Sequence, residues 1–149
     1  MKPRAYLLPA LALAGLSGCF LPRWNRSVDV DHPIRTTPGG VQVQDVLEGL
    51  GPAVTPFSEV TMDYRVQLRD GTLVDSTYER GLPISFTMGA APIPGWEEAL
   101  LGMRAGGKRV AEIPPALGYG EAGIEGLVPP GSSLLCEFEM LEVGEPRPE

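Results

Sequence analysis

The stretch Ile93-Pro94-Gly95-Trp96-Glu97-Glu98-Ala99-Leu100-Leu101-Gly102-Met103 limits the fold more than any other part of the chain. Ile93, Trp96, Leu100 and Met103 recur at helical spacing, so the segment has one apolar side. Gly102 and the pair Gly106-Gly107 bound it at the C-terminal end, where glycine terminates helices. Isolated helices need about 12–15 residues to persist in water, so this one is unstable alone. Its indole and aliphatic side must be covered. The rest of the chain reads as strands that can cover it, and Trp96 is expected to form the floor of an apolar pocket.

Val60 to Leu68 alternates apolar and polar residues without a fault and sets Val60, Met62, Tyr64, Val66 and Leu68 on one face. Asp70-Gly71 is a hairpin turn signal, and Leu73 to Asp75 starts the return strand. Ser76 to Pro83 is a polar interruption, read as a bulge or a loop. Ile84 to Met88 alternates again. Val41 to Gln44 forms an earlier strand, followed by a break at Leu50-Gly51-Pro52. Lys108 to Ile113 is a strand stopped by Pro114-Pro115. A Gly- and Pro-rich loop fills Ala116 to Gly131, and Leu134 to Val143 is the last strand. Nineteen glycines and sixteen prolines suit short strands joined by turns. Strands on both sides of one helix, without βαβ alternation, give the α+β class with a largely antiparallel sheet.

Met1-Lys2-Pro3-Arg4 is a short basic segment, Tyr6 to Leu16 is mostly apolar, and Ser17-Gly18-Cys19 supplies small residues before a cysteine. This is the anatomy of a secretory signal. The apolar run falls short of the roughly 18 residues that a membrane span needs. Leu16-Ser17-Gly18-Cys19 resembles the bacterial lipobox, against the plainer reading of a cleaved signal with an incidental cysteine. The resemblance implies that residues 1–18 are lost and that Cys19 carries lipid. Several acyl chains on one residue anchor durably, where one is marginal. Phe20 rather than Asp after the cysteine favours, by analogy with enterobacterial sorting, the outer membrane facing the periplasm. Residues 19–40 read as the lipidated N-terminus and tether, 41–144 as the folded domain, and 145–149 as a tail.

A net charge of -7 argues against nucleic acid, because phosphate binding wants a basic patch. One histidine, His32, excludes a histidine triad and a multi-histidine metal site, and no metal or cofactor is expected. Gly102 to Lys108 matches the GxxxxGK spacing of a phosphate loop. Arg109 then stands where Ser or Thr must reach magnesium, and the order is helix, loop, strand instead of strand, loop, helix. With Cys19 lipidated, Cys136 is a lone thiol in an apolar strand pattern, which reads as a small buried hydrophobe. Glu97-Glu98 reads as first-turn acid complementing the helix dipole.

Six ordered segments are similar to the FK506-binding-protein (FKBP) family of peptidyl-prolyl isomerases. They are Asp70 to Thr77, Pro92 to Glu98, Gly106 to Arg109, Ile113 to Pro115, Leu117 to Gly120 and Leu127 to Ser132. The resemblance implies a curved antiparallel β-sheet wrapped around one short α-helix. It implies a catalytic set of Tyr64, Asp75, Phe86, Trp96 and Tyr119. Trp96 matches the floor, and Tyr64, Phe86 and Ile93 match the walls, with the Ile93 backbone N–H contacting ligand. Asp75 matches the acid near the pocket, Arg80 its partner, and Tyr119 the hydroxyl that donates to a bound carbonyl. Leu127 and Val128 match an overhanging loop. Val74, Ile84 and Cys136 stand where well-known members carry Phe, so the substrate pocket should be wider and less aromatic.

The resemblance further implies proline-containing polypeptide clients, FK506-like macrolides as ligands of altered affinity, and a monomer. The barrier to X–Pro isomerisation is loss of amide resonance, about 18–20 kcal/mol. A twisted amide separates less charge than a planar one, so an apolar, water-poor pocket disfavours the planar state relative to the transition state. Trp96, Phe86, Ile93 and Val74 would grip the proline ring. Tyr119 would hold the preceding carbonyl, and Asp75, held by Arg80 or Tyr64, would polarise the rim. The competing reading is a chaperone or scaffold module that binds proline segments with little turnover, which the three lost Phe positions favour more than an average family member would.

Overall fold

The computed structural model describes residues 32–146. Residues 1–18, read as a signal, Cys19 and most of the segment read as a tether lie outside the described residues, as do 147–149.

Seven antiparallel strands form one sheet: β1 (Arg35–Thr36), β2 (Gln42–Leu47), β3 (Ser58–Leu68), β4 (Leu73–Ser76), β5 (Ile84–Thr87), β6 (Lys108–Ile113) and β7 (Leu134–Pro146). Their order is β1-β2-β6-β7-β3-β4, and β5 also pairs with β3. The two longest strands, β3 and β7, pair from Ser58↔Pro146 to Leu68↔Leu134. The period-2 pattern of β3 is realised: Val60, Met62, Tyr64, Val66 and Leu68 are all buried. They meet Trp96, Ala99 and Leu100 of helix α2 (Pro94–Leu100) in one cluster with Ile113, Phe138 and Met140. Burying such side chains is worth roughly 1.5–3 kcal/mol each. That cover, not helix propensity, holds a seven-residue helix in place. Gly95 sits so close to β6 that a Cβ there would collide with the Ile113 side chain.

The helix is shorter than its apolar pattern. Leu101 leaves helical geometry at φ -55, ψ 133, and Gly102 takes a left-handed φ of 76. Met103 is nevertheless buried as the pattern requires. Arg109 closes the helix from β6: its Nη1 donates to the carbonyls of Ala99 (2.8 Å) and Leu101 (3.0 Å), and its Nε to Asp45 (2.7 Å). The residue that spoils the phosphate-loop motif is thus a helix C-cap.

Ser76 to Pro83 is neither bulge nor plain loop. It holds a one-turn helix α1 (Thr77–Arg80), with Ser76 Oγ accepting from Tyr78 N (3.2 Å) and Gly81 closing the turn at φ 73. At the N-terminal side, β1 pairs with β2 through Arg35↔Val43, so the end of the segment read as tether joins the sheet. Phe57 has a positive φ of 70 in the turn before β3, where Ser58 N donates to Thr55 O (3.1 Å).

Candidate functional site

Trp96 lies in the first turn of α2 and points into the sheet, with 1% of its surface exposed. Tyr64 from β3 meets the indole edge-on at 4.7 Å between centroids, and Phe138 from β7 does so at 5.4 Å. Phe86 from β5 lies tilted at 6.2 Å. Edge-on aromatic pairs of this kind add about 0.5–1.5 kcal/mol beyond their buried area. Val74, Ile84, Phe86 and Tyr119 surround this floor half-buried, while Ile93, Val128 and Cys136 are buried. Leu127 is 38% exposed on the loop above. The indole N–H finds no hydrogen-bond acceptor among the described residues. Burial pushes the Cys136 thiol up to about 12, and the Trp96 side chain partly opposes the shift. Cys136 is a neutral, buried hydrophobe.

The rim is polar. The Tyr64 hydroxyl donates to Asp75 Oδ2, and Arg80 Nη2 donates to that same hydroxyl at 2.7 Å. Arg80 Nη1 lies 3.1 Å from Asp75 Oδ1, whose own backbone neighbour Ser76 N donates to it at 2.8 Å. Burial first, then the hydrogen bond to Asp75, raises the Tyr64 phenol to about 12, against the opposing pull of Arg80. Tyr119 is also raised, by burial and then by the Asp75 charge. Both phenols are therefore neutral donors at physiological pH.

Tyr119 stands on a braced loop. A 3₁₀ turn at Pro115–Leu117 leads into it, Gly120 N donates to Pro115 O (2.8 Å), and Gly123 N donates to Tyr119 O (3.0 Å). Its hydroxyl makes no hydrogen bond to a described residue, so its donor is available. A neutral phenol, a charged pair and a buried indole around half-exposed apolar walls can hold a neutral ring beside a carbonyl. Among the described residues no three His, Cys, Asp or Glu side chains converge to hold a metal ion.

A family model described as FKBP-type peptidyl-prolyl cis-trans isomerase matches residues 51–141. The chain belongs to that family. An FK506-binding protein of Neisseria meningitidis serogroup B is 40% identical over 108 residues, covering 72% of this chain and 99% of the relative. The FKBP-type peptidyl-prolyl cis-trans isomerase FkpA of Escherichia coli K12 is 40% identical over 116 residues, 78% of this chain and 42% of that protein. The crystal structure of FkpA from Escherichia coli superposes with a TM-score of 0.70 at 38% identity, covering 76% of this chain and 53% of that one. A peptidyl-prolyl cis-trans isomerase from Pseudomonas syringae pv. tomato gives a TM-score of 0.68 at 25% identity over 91% of this chain and 94% of its own. The protein is an FKBP-type peptidyl-prolyl cis-trans isomerase.

Three features of this FKBP were not read from the sequence. Glu97 does more than complement a dipole: its carboxylate accepts from Gly89 N (2.9 Å) and Ala91 N (2.8 Å), bracing the loop that leads from Phe86 to Ile93. Glu98 accepts from Gly39 N (2.9 Å) and from the Thr37 hydroxyl, tying the β1–β2 turn to the helix. Phe138 restores an aromatic beneath the indole on the strand where Cys136 is small. An apolar residue two places beyond Cys136 in the same alternation was the one signal that could have found it.

Proposed function

We propose that this FKBP isomerises X–Pro bonds of exported polypeptides from a lipid anchor at the bacterial cell envelope. The observation that carries the catalytic part is the buried Trp96 floor bordered by half-exposed apolar walls and the available Tyr119 hydroxyl. In this reading the proline ring rests on Trp96 between Phe86, Ile93 and Val74. Tyr119 donates to the carbonyl before the proline. The Tyr64–Asp75–Arg80 network keeps one edge polar and fixes the walls. Ile84 and Cys136 leave room beside the ring, and Leu127 with Val128 roofs it. Rate then comes from an environment that favours the rotated, less polar amide, with no covalent intermediate. The same cavity takes FK506-like macrolides, with affinity altered by its smaller walls. The protein acts as a monomer.

Localisation rests on the leader. The basic, apolar and small segments of residues 1–18 followed by Cys19 support export and acylation, with the outer membrane facing the periplasm favoured by Phe20.

The decisive experiment is a proline-limited refolding assay with the chain from residue 20 onward. Acceleration that is lost in Tyr119→Phe and Asp75→Leu supports the assigned roles; acceleration untouched by both rejects them. Cys19→Ser should release the protein from membranes, and unchanged fractionation rejects the anchor.

A further inference from the structure

Helix α2 has two flanks. On one, Trp96 meets Tyr64, Phe86 and Phe138, and Glu97 braces the loop beside them. On the other, Glu98 accepts from Gly39 N in the β1–β2 turn. There a groove of about 310 Å³ opens between the end of the helix and the β1–β2 hairpin. Val43 and Leu101 form part of its wall, and Arg35, Arg109 and Glu98 line it as well. Its volume is at the small end of the roughly 300–1,000 Å³ of ligand pockets, which suits one residue. None of these side chains serves the site proposed for X–Pro bonds.

The groove is built on a buried charge. Arg109 is 3% exposed. Its Nε and Nη1 are spent on Asp45 and on the Ala99 and Leu101 carbonyls, whereas Nη2 makes no hydrogen bond to a described residue. Buried donors are almost always paired, so one left over calls for an acceptor. Arg35 spends only its Nη2, on the other oxygen of Asp45 at 2.6 Å. The two guanidiniums grip one carboxylate and so stand close together. Asp45 itself is not part of the groove wall. What faces the groove is two cations and one acid, and that acid, Glu98, is engaged by Thr37 and Gly39. An anion is the electrostatic complement. Val43 and Leu101 add an apolar side to the same space. The fitting ligand carries a carboxylate and an apolar body within one residue. Asp and Glu side chains supply the charge without the body. The last residue of a polypeptide, when apolar, supplies both.

We propose that the groove between α2 and the β1–β2 hairpin binds the C-terminal residue of a polypeptide, with its α-carboxylate on Arg35 and Arg109 and its apolar side chain against Val43 and Leu101. This binding is separate from isomerisation and does not rest on it. Hydrogen bonds to an ionised acceptor are roughly twice as strong as neutral ones, so the free carboxylate carries most of the affinity.

The test is a titration of the full chain carrying Cys19→Ser, which removes the anchor from the question. The probe is the tripeptide Gly-Gly-Phe with a free C-terminus, and amide NMR spectra report the site. Signals of Val43, Leu101 and the Arg109 Nε–H should shift. The same tripeptide with an amidated end should bind at least about tenfold more weakly. Arg35→Gln removes one guanidinium and leaves the Arg109 cap, and Leu101→Glu puts a like charge on the exposed wall. Each should weaken binding at least about tenfold, with thermal melts near the parent's because both side chains are largely open to water. Equal binding of acid and amide overturns the proposal. So does the absence of shifts at about 10 mM tripeptide, ten times the concentration that half-fills a millimolar site. Shifts at Trp96 and Tyr119 instead would place the peptide in the isomerase site and overturn it too. Phenylpropionate binding as tightly as the tripeptide would assign the groove to small free acids and reject a polypeptide end.

Discussion

The floor of the proposed site and its rim are built to different standards. The floor is Trp96 wedged between Tyr64 and Phe138, buried and continuous with the apolar cluster. The rim is Asp75, Arg80, Tyr119 and Leu127, exposed or half-exposed on a one-turn helix, a strand end and a loop. The floor doubles as the core of a domain with a single sheet and few helical turns. Substitutions there should be felt first as lost stability. Rim residues carry little packing, so their substitutions should be felt first as lost activity.

The largest expected effect is at the floor. Trp96→Ala should cost about 3–5 kcal/mol in urea or guanidinium unfolding, the usual range for large-to-small aromatic changes in a core. Near-normal stability in that variant would erase the distinction between floor and rim. Glu97→Ala sits between the two classes. It strips the acceptor from Gly89 N and Ala91 N, so a loss of about 1–3 kcal/mol is expected. Isomerase efficiency should fall with it, and Glu97→Gln should restore part of both, read by paired melts and refolding rates.

At the rim, Tyr119→Phe should change stability by no more than about 0.5 kcal/mol. Its catalytic efficiency should drop about tenfold, the equivalent of one hydrogen bond of about 1.4 kcal/mol. A stability loss larger than the activity loss would move Tyr119 into the floor.

Alkaline titration separates the regions in another way. The folded Cys136 thiol and Tyr64 phenol are both raised to about 12, from ordinary values of 9.0 and 10.0. Their neutral forms favour the folded state, so that contribution is whole below pH 9. It declines as pH rises through 9 and 10 toward 12, because the unfolded chain releases these protons first. Urea midpoints between pH 8 and 11 should fall accordingly. Combining Cys136→Ala with Tyr64→Phe should flatten the fall, with Tyr78 and Tyr119 supplying what remains. The smallest effect lies far from both regions. Phe57→Gly should stabilise by about 1 kcal/mol, because only glycine takes a φ of 70 without cost.

What could be read from the chain alone was whatever repeats at a fixed period. Val60 to Leu68 announced its buried face, and β6 spans the same Lys108 to Ile113 that its pattern marked. Ile93, Trp96, Leu100 and Met103 are all buried, even though the helix ends before Met103. Elements too short to show a period escaped. Helix α1 is one turn of polar residues, and β1 has two. Contacts between residues distant in sequence escaped as well. Glu98 meets Gly39 across 59 positions, and Arg109 meets Asp45 across 64. Nothing in local pattern announces such partners. The rim residues were reached through motif resemblance, since Asp75, Arg80 and Tyr119 obey no period.

The lengths of the strands have one more consequence. The longest, β3 and β7 with 11 and 13 residues, lie inside the sheet, while the outermost have two (β1) or four (β4 and β5). Long open borders are where crowded chains zip together into aggregates. Copies concentrated side by side in a plane would find no long outermost strand among the described residues to extend, so dense arrays of this domain should stay dispersed.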